Sequence, residues 1–404
     1  MDFEPWWLII VPVLFGLGWL AARFDFKQML SESKQLPDSY FKGLNFLLNE
    51  EPDQAIDAFI EVAKLDPETT ELHFALGSLF RRRGEMERAI RVHQSLLART
   101  DLPEIERENA QFEIAQDFLK AGMLDRAEAA FEAVSQGRHA IAAVRALIHI
   151  YESGHDWPQA IATVKRLRHL VDEPVPQLIH YQCEQAETAL KRREPQLEQA
   201  EQALNEAERA AKELGAKEGS RAATARIFML RAQVAQLEQN LALQQFYLQE
   251  VLRVAPLYAG LIADQLMQCY EAQGLADQAL RVLQKHYEQY PSVDVFTQVF
   301  KALRTQQGAT AAWDFAREAL HQYPSLLGLD RSLQLELQHP DNPEAAHVLG
   351  GDLTLLRTLV HKHTQRLDRY ACQNCGFEAK HFYWQCPGCT HWETYAPKRL
   401  EEMQ

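Results

Sequence analysis

Outside one short stretch the chain has almost no cysteine. Cys183 and Cys269 are scattered through the body, and the other four of six fall within eighteen positions near the C-terminus. This excludes a disulfide framework and suits a reducing compartment, with Cys183 and Cys269 read as buried thiols. Positive charge is also short: 42 Lys and Arg against 56 Asp and Glu leave −14. That argues against nucleic acid as a general partner, because phosphate backbones are held by positive surfaces. Glycine and proline are modest, at 18 and 17 of 404 residues, so no long low-complexity tail is present. Signatures of common catalytic sites are missing: no G-x-x-x-x-G-K-[ST], no G-x-G-x-x-G, no G-x-S-x-G and no His-Glu-x-x-His. His361 and His363 stand two apart, do not share a helix face, and read as exposed polar residues rather than a second metal site. Acidic pairs such as Glu50-Glu51 and Glu401-Glu402 read as solvated surface rather than an acid/base pair. Nothing here argues for an enzyme.

What is present begins with the cysteine cluster. It reads Cys372-Gln373-Asn374-Cys375-Gly376-Phe377 and Cys386-Pro387-Gly388-Cys389. Two C-x-x-C pairs so close together can offer four thiolates to one tetrahedral metal. Two reversible disulfides or free thiols are the alternatives. Gly376 and Gly388 suit tight loops that turn backbone amides toward the sulfurs, since glycine accepts positive φ without a clash. Phe377, Trp384 and Trp392 fit a small module nucleated by a metal.

The N-terminus carries one uncharged apolar run, Trp6 to Ala22. Its length is near what crosses a bilayer, and Trp6, Trp7 and Trp19 lie where interfacial tryptophans sit. Asp2 and Glu4 precede it; Arg23, Lys27 and Lys34 follow. The positive-inside rule then puts the N-terminus outside and everything after Arg23 in the cytoplasm. A cleaved signal peptide would need positive charge before the run and a small-residue cleavage site after it, and neither is present; a buried N-terminal helix and a signal peptide are the lesser alternatives to a retained anchor. We expect a transmembrane anchor over 1–23 and a connector over 24–36.

From about Pro37 a period of about 34 residues sets in. Gly43 to Gly77 is 34 residues, and so is Ala55 to Ala89. Ala127 and Phe131, Ala160 and Val164, Ala242 and Phe246, Ala279 and Leu283, and Ala312 and Ala316 mark later units. Small residues let two antiparallel helices approach, and the residue four after each alanine fills the space between hairpins. Gly84, Gly122, Gly154, Gly274 and Gly308 fall where the turn within a hairpin belongs. The pattern resembles the tetratricopeptide repeat and predicts an all-α superhelix of about eight hairpins over 37–325. It is irregular over 174–225, where a Glu- and Gln-rich stretch reads as a lengthened repeat helix rather than a binding arm. Capping helices are expected over 326–367, with Leu355, Leu356, Leu359 and Val360 as an apolar stripe. Such an array offers a binding surface and no preformed catalytic pocket.

The stripe runs directly into the metal module, expected over 368–400, which should therefore cap the open end of the array. Tyr370-x-Cys372-x-x-Cys375-Gly376 and Trp384-x-Cys386-Pro387-x-Cys389 resemble rubredoxin. The resemblance implies one iron bound by Cys372, Cys375, Cys386 and Cys389. Only ten residues separate the pairs, fewer than in rubredoxins or the commoner zinc ribbons, so iron and zinc both stay open.

Anchor, repeat array and tetracysteine module in this order resemble the lipopolysaccharide assembly protein B family of Gram-negative bacteria over essentially the full length. The resemblance implies a single-pass inner-membrane adaptor with a cytoplasmic array and no enzymatic activity. It would work with the FtsH protease to control degradation of LpxC, the deacetylase that commits precursors to lipid A. It would also meet other lipopolysaccharide assembly proteins and an inner-membrane regulator. A homo-oligomer stays open. An electron-transfer protein using the metal, or a scaffold of another membrane assembly, are the alternative readings.

Overall fold

The computed structural model describes residues 41–403 apart from breaks at 44, 47–48, 50, 66–69, 172–174, 216–217 and 339–342. The anchor stretch with Trp6, Trp7, Trp19 and Arg23, and the connector, lie outside the described residues. Among the described residues no helix is long and apolar enough to cross a membrane.

The described residues are helical apart from the C-terminal module, and the chain divides into two compact units, the first ending at Gly154 and the second beginning at His155. The first unit holds α1 (Pro52–Leu65), α2 (Thr70–Arg83), α3 (Met86–Leu97), α4 (Glu104–Lys120), α5 (Leu124–Ala133) and α6 (Ala140–Ser153). Glycine sets how closely its helices pack. A Cβ on Gly43 would lie 2.6 Å from the Phe59 ring, and one on Gly77 would lie 2.2 Å from His93 Nε2. These glycines are one period apart, and so are the rings they admit. His93 is fully buried, and its Nδ1 lies 2.5 Å from Asp117 Oδ2 on α4. Arg81 reaches the other Asp117 oxygen at 2.7 Å and Glu113 at 2.6 Å. A polar knot thus ties α2, α3 and α4 together inside an apolar stack.

The second unit holds α7 (Trp157–Leu170), α8 (Gln177–Leu190), α9 (Leu197–Leu214), α10 (Glu218–Leu237), α11 (Leu241–Val254), α12 (Ala259–Ala272), α13 (Ala276–Gln289), α14 (Val293–Gln306), α15 (Ala309–Gln322), α16 (Leu326–Gln338) and α17 (Pro343–Thr364). From α8 onward they pair as hairpins, with the first helices α12, α14 and α16 packed on one another in sequence. Its core runs through Leu266, Tyr270, Leu283, Phe296, Phe300 and Ala316.

Gly84, Gly122, Gly274 and Gly308 make their turns at φ of 84°, 72°, 74° and 92°, the left-handed region where a side chain is strained. Gly154 stays right-handed, and the following His155 takes the positive φ of 56°. The signature alanines Ala55, Ala89, Ala127, Ala160, Ala279 and Ala312 are fully buried.

One unit is out of register with expectation. Ala242 and Phe246 are exposed, Phe246 by 52%. Gln244 and Leu248 hold the two buried places instead, because the helix begins at Leu241 and puts its fourth and eighth residues inward. Over 177–214 the irregular stretch is an ordinary hairpin. Helix α9 buries Ala200, Ala203, Leu204, Ala207 and Ala210 and turns its Glu and Gln outward, as a lengthened repeat helix does.

Helix α17 also differs from expectation. Leu355, Leu356 and Leu359 face outward. Leu353 and Val360 are half-buried, and next to them His361 Nδ1 lies 2.8 Å from Asp330 Oδ2 while Thr364 donates to the same oxygen at 3.1 Å. Asp330 is buried on α16, so its carboxylate, together with Leu353 and Val360, fixes which face of α17 turns inward.

Candidate metal centre

The C-terminal module is two knuckles, each flanked by short pairing and linked by a bridge between Cys372 and Tyr395. Strand β1 (Tyr370–Ala371) runs antiparallel to β2 (Glu378–Ala379), with Tyr370 opposite Ala379. In the first knuckle the Gly376 amide donates to Cys372 O and the Cys372 amide to Phe377 O. In the second, the Thr390 amide donates to Cys386 O and the Cys386 amide to His391 O. The positions match: Gly376 has φ 75° and Thr390 φ 58°. The left-handed residue of the second loop is therefore Thr390 and not Gly388. Gly388 is needed for space, since a Cβ there would meet the Phe377 ring at 3.2 Å.

These loops bring the four sulfurs within 4.8 Å of one another. Cys372 Sγ to Cys389 Sγ is 3.7 Å, and Cys375 Sγ to Cys386 Sγ is 3.7 Å. A disulfide needs about 2.05 Å. A tetrahedral ion with metal–sulfur bonds of about 2.3 Å sets its sulfurs about 3.8 Å apart. The donor set and spacing fit one closed tetrathiolate site.

Dipoles around the sulfurs favour thiolates. Asn374 Nδ2 donates to Cys389 Sγ at 3.4 Å, the Gly388 amide donates to Cys386 Sγ at 3.4 Å, and Thr394 Oγ1 lies 3.2 Å from Cys372 Sγ. The Asn374 amide, with the His391 backbone, holds the Cys389 thiol down at about 6. At Cys375 the Phe377 amide favours the thiolate, but burial and the three neighbouring sulfurs outweigh it and push the thiol up to about 12. Four sulfurs so close cannot all ionise without a cation between them. By contrast Cys183, buried in α8, is pushed up to about 12 by burial, and both it and Cys269 are inert buried thiols.

The module does not sit on the last hairpins alone, as a cap would. It lies along residues of successive hairpins. Trp392 stacks on His180 of α8 at 4.8 Å and 13°, and meets Trp157 and Tyr181 edge-on. Trp384 stacks on Tyr258 at 5.4 Å and 4°. Arg226 of α10, 1% exposed, lies 5.4 Å from the Trp384 ring and 5.8 Å from the Trp392 ring. Its guanidinium is held by Glu184 at 2.6 Å and Glu187 at 3.0 Å. Glu393 accepts from His180 Nε2 at 2.7 Å. At the other end, Asp294 of α14 takes Arg399 at 3.0 Å and Arg331 at 2.8 Å, with the Tyr370 hydroxyl at 3.2 Å.

The chain's last turn adds two caps. Glu401 accepts from the Leu326 and Leu327 amides at the start of α16, and Glu402 from the Val293 amide at the start of α14. Their reading as solvated surface is thereby corrected: each carboxylate satisfies orphan donors of a helix N-terminus.

The residues of this seat escaped sequence reading, because aromatic and ionic partners up to 213 positions apart leave no periodic mark. One signal was there. Arg226 stands among Ala223, Ala225 and Ile227, a charge inside an apolar stripe, which needs a buried partner.

Comparison with known proteins fits this architecture. The rubredoxin metal binding domain family matches residues 370–397, and the tetratricopeptide repeat family matches residues 72–105. Lipopolysaccharide assembly protein B of Escherichia coli (strain K12) is 30% identical over 394 residues, covering 97% of each chain. The chain belongs to the lipopolysaccharide assembly protein B family. The family's protein in Haemophilus influenzae is 26% identical over 410 residues, covering 98% of each chain. Among solved structures, a tetratricopeptide repeat protein from Parabacteroides merdae aligns with 74% of this chain and 99% of its own, at 12% identity and a TM-score of 0.30. That likeness is too low to carry an argument. The family's tetracysteine module is thus, in this chain, a cluster seated on the repeat helices by aromatic stacks and buried ion pairs.

Proposed function

We infer that the protein is an inner-membrane adaptor that regulates lipopolysaccharide synthesis, its anchor at 1–23 and its array and metal module in the cytoplasm. The observation that carries this reading is the end-to-end match to relatives named for lipopolysaccharide assembly, over 97% of both chains. Repeat hairpins over 37–325 would hold client and protease, and the anchor would raise their effective concentration at the membrane. By resemblance, the protease is FtsH and the client is the deacetylase LpxC. The role is non-enzymatic.

Cys372, Cys375, Cys386 and Cys389 are assigned as ligands of one metal ion, zinc or iron. When bound, the ion closes the module and neutralises its thiolates. Metal analysis of the purified protein separates the two, since a tetrathiolate iron is coloured and zinc is not. The adaptor reading is tested by depleting the protein and following the deacetylase. A longer deacetylase half-life is expected. An unchanged level and half-life would sink the reading.

A further inference from the structure

We propose that the second unit carries a peptide-binding groove, beside the metal module's seat and sharing Trp157 and Glu184 with it, that takes an extended segment bearing acidic side chains. The groove encloses about 1280 Å³ between α7, α8 and α9. Trp157 lines it and also meets Trp392 of the module edge-on.

Four glutamines line it: Gln182 and Gln185 from α8, Gln199 and Gln202 from α9. Among the described residues none of the four side chains makes a hydrogen bond. Gln182 is the most enclosed of the four, at 5% exposed. Each glutamine amide offers two donors and one acceptor. That is the complement of a main chain whose N–H and C=O groups are free. An extended segment has them free, whereas a helix has spent them internally.

Charge selects among extended segments. Lys165 lines the groove, is exposed, and has no ion-pair partner among the described residues. Arg192 bonds the neutral amide of Gln196, so its charge also stays unmatched. The two carboxylates of the wall are spent, Glu184 on Arg226 and Glu206 on Arg209. The unmatched charge is positive and calls for carboxylates on the ligand.

The proposal deepens the adaptor reading by naming where a client segment binds. Its test uses the purified protein, so it stands or falls apart from the deacetylase experiment. Fluorescein-labelled decapeptides of alternating Ser-Glu, Ser-Gln and Ser-Lys are titrated in low salt, with fluorescence anisotropy as readout. The Ser-Glu peptide should bind at least tenfold more tightly than the Ser-Lys peptide. The double variant Gln182→Leu/Gln185→Leu should weaken it about tenfold for two lost hydrogen bonds. Because Gln182 is buried, the surface variant Lys165→Glu serves as an independent arm, and it should erase the acidic preference with an unchanged melting temperature. Equal affinity for the three peptides, or full affinity in either variant, overturns the proposal. Tighter binding of an acidic helix-forming peptide of Glu-Ala-Ala repeats overturns the extended conformation. Self-association abolished by Lys165→Glu would give the groove to a second copy of this chain instead.

Discussion

Arg226 shows how one residue joins two parts of the molecule. Its guanidinium is buried between two carboxylates of α8 and two tryptophans of the module. Removing one partner of a buried ion pair costs about 3–5 kcal/mol. Glu184 and Glu187 keep about a quarter of their side-chain exposure and can be rehydrated, which lowers the cost. We expect Arg226→Met to destabilise the second unit by about 2–3 kcal/mol in chemical denaturation. Arg226→Lys should fall between it and the parent, because a lysine keeps charge but loses the fork.

His180 adds a pH dependence. Burial, then the Arg226 charge, hold its imidazole below the usual value, although the bond to Glu393 pulls the other way. With Nε2 donating to Glu393, Nδ1 faces the guanidinium as an acceptor, so the ring is neutral. The unfolded chain takes up its proton near pH 6.5 and the folded one only below that. Below about 6.5 the unfolded state therefore binds more protons, and stability present at pH 7 is lost as pH falls. Melting temperatures of parent and His180→Gln should converge between pH 7 and pH 5. Parallel curves would show that His180 contributes nothing to the loss.

At the scale of the element, what could be read in the sequence was whatever repeats. Gly43 and Gly77 share a role one period apart because each admits a ring from the second helix of its hairpin. The turn glycines were legible because only the left-handed region closes those turns. The unit at Leu241 was misread because Gln244 stands where the signature has alanine, and a neighbouring alanine drew the register two residues off. The rotation of α17 was missed because Asp330, which binds His361 and Thr364, stands on another helix. The four cysteines could be found from spacing, but not the exchange of roles between Gly388 and Thr390, which depends on backbone angles. Gly77→Ala tests the legible part. His93 cannot yield, being pinned by Asp117, so the added methyl should cost about 1–3 kcal/mol. A change under about 0.5 kcal/mol in denaturant midpoint analysis would show that the ring has room to move.

At the scale of the whole molecule, the module acts as a strap within the second unit. Metal binding and folding are one equilibrium in small tetrathiolate modules, worth about 10–16 kcal/mol in isolated peptides. Here the folded module also holds His180 and Arg226 and touches Tyr258 and Asp294, residues spread over more than a hundred positions. Losing the metal should therefore loosen more than residues 370–397. Without Trp384 and Trp392 above it, Arg226 keeps its carboxylates but faces water, and the rings of Tyr258 and His180 lose their stacking partners. Hydrogen exchange with and without a strong chelator, or in Cys386→Ser, reads this directly. Protection should fall in β1 and β2 and also in α8, in α10 and in the turn Pro256–Tyr258. The core of α12 and α13 around Leu266 and Leu283, buried independently of the module, should keep its protection. Loss confined to 370–397 would mean that the array holds its shape unaided and that the seat only receives the module.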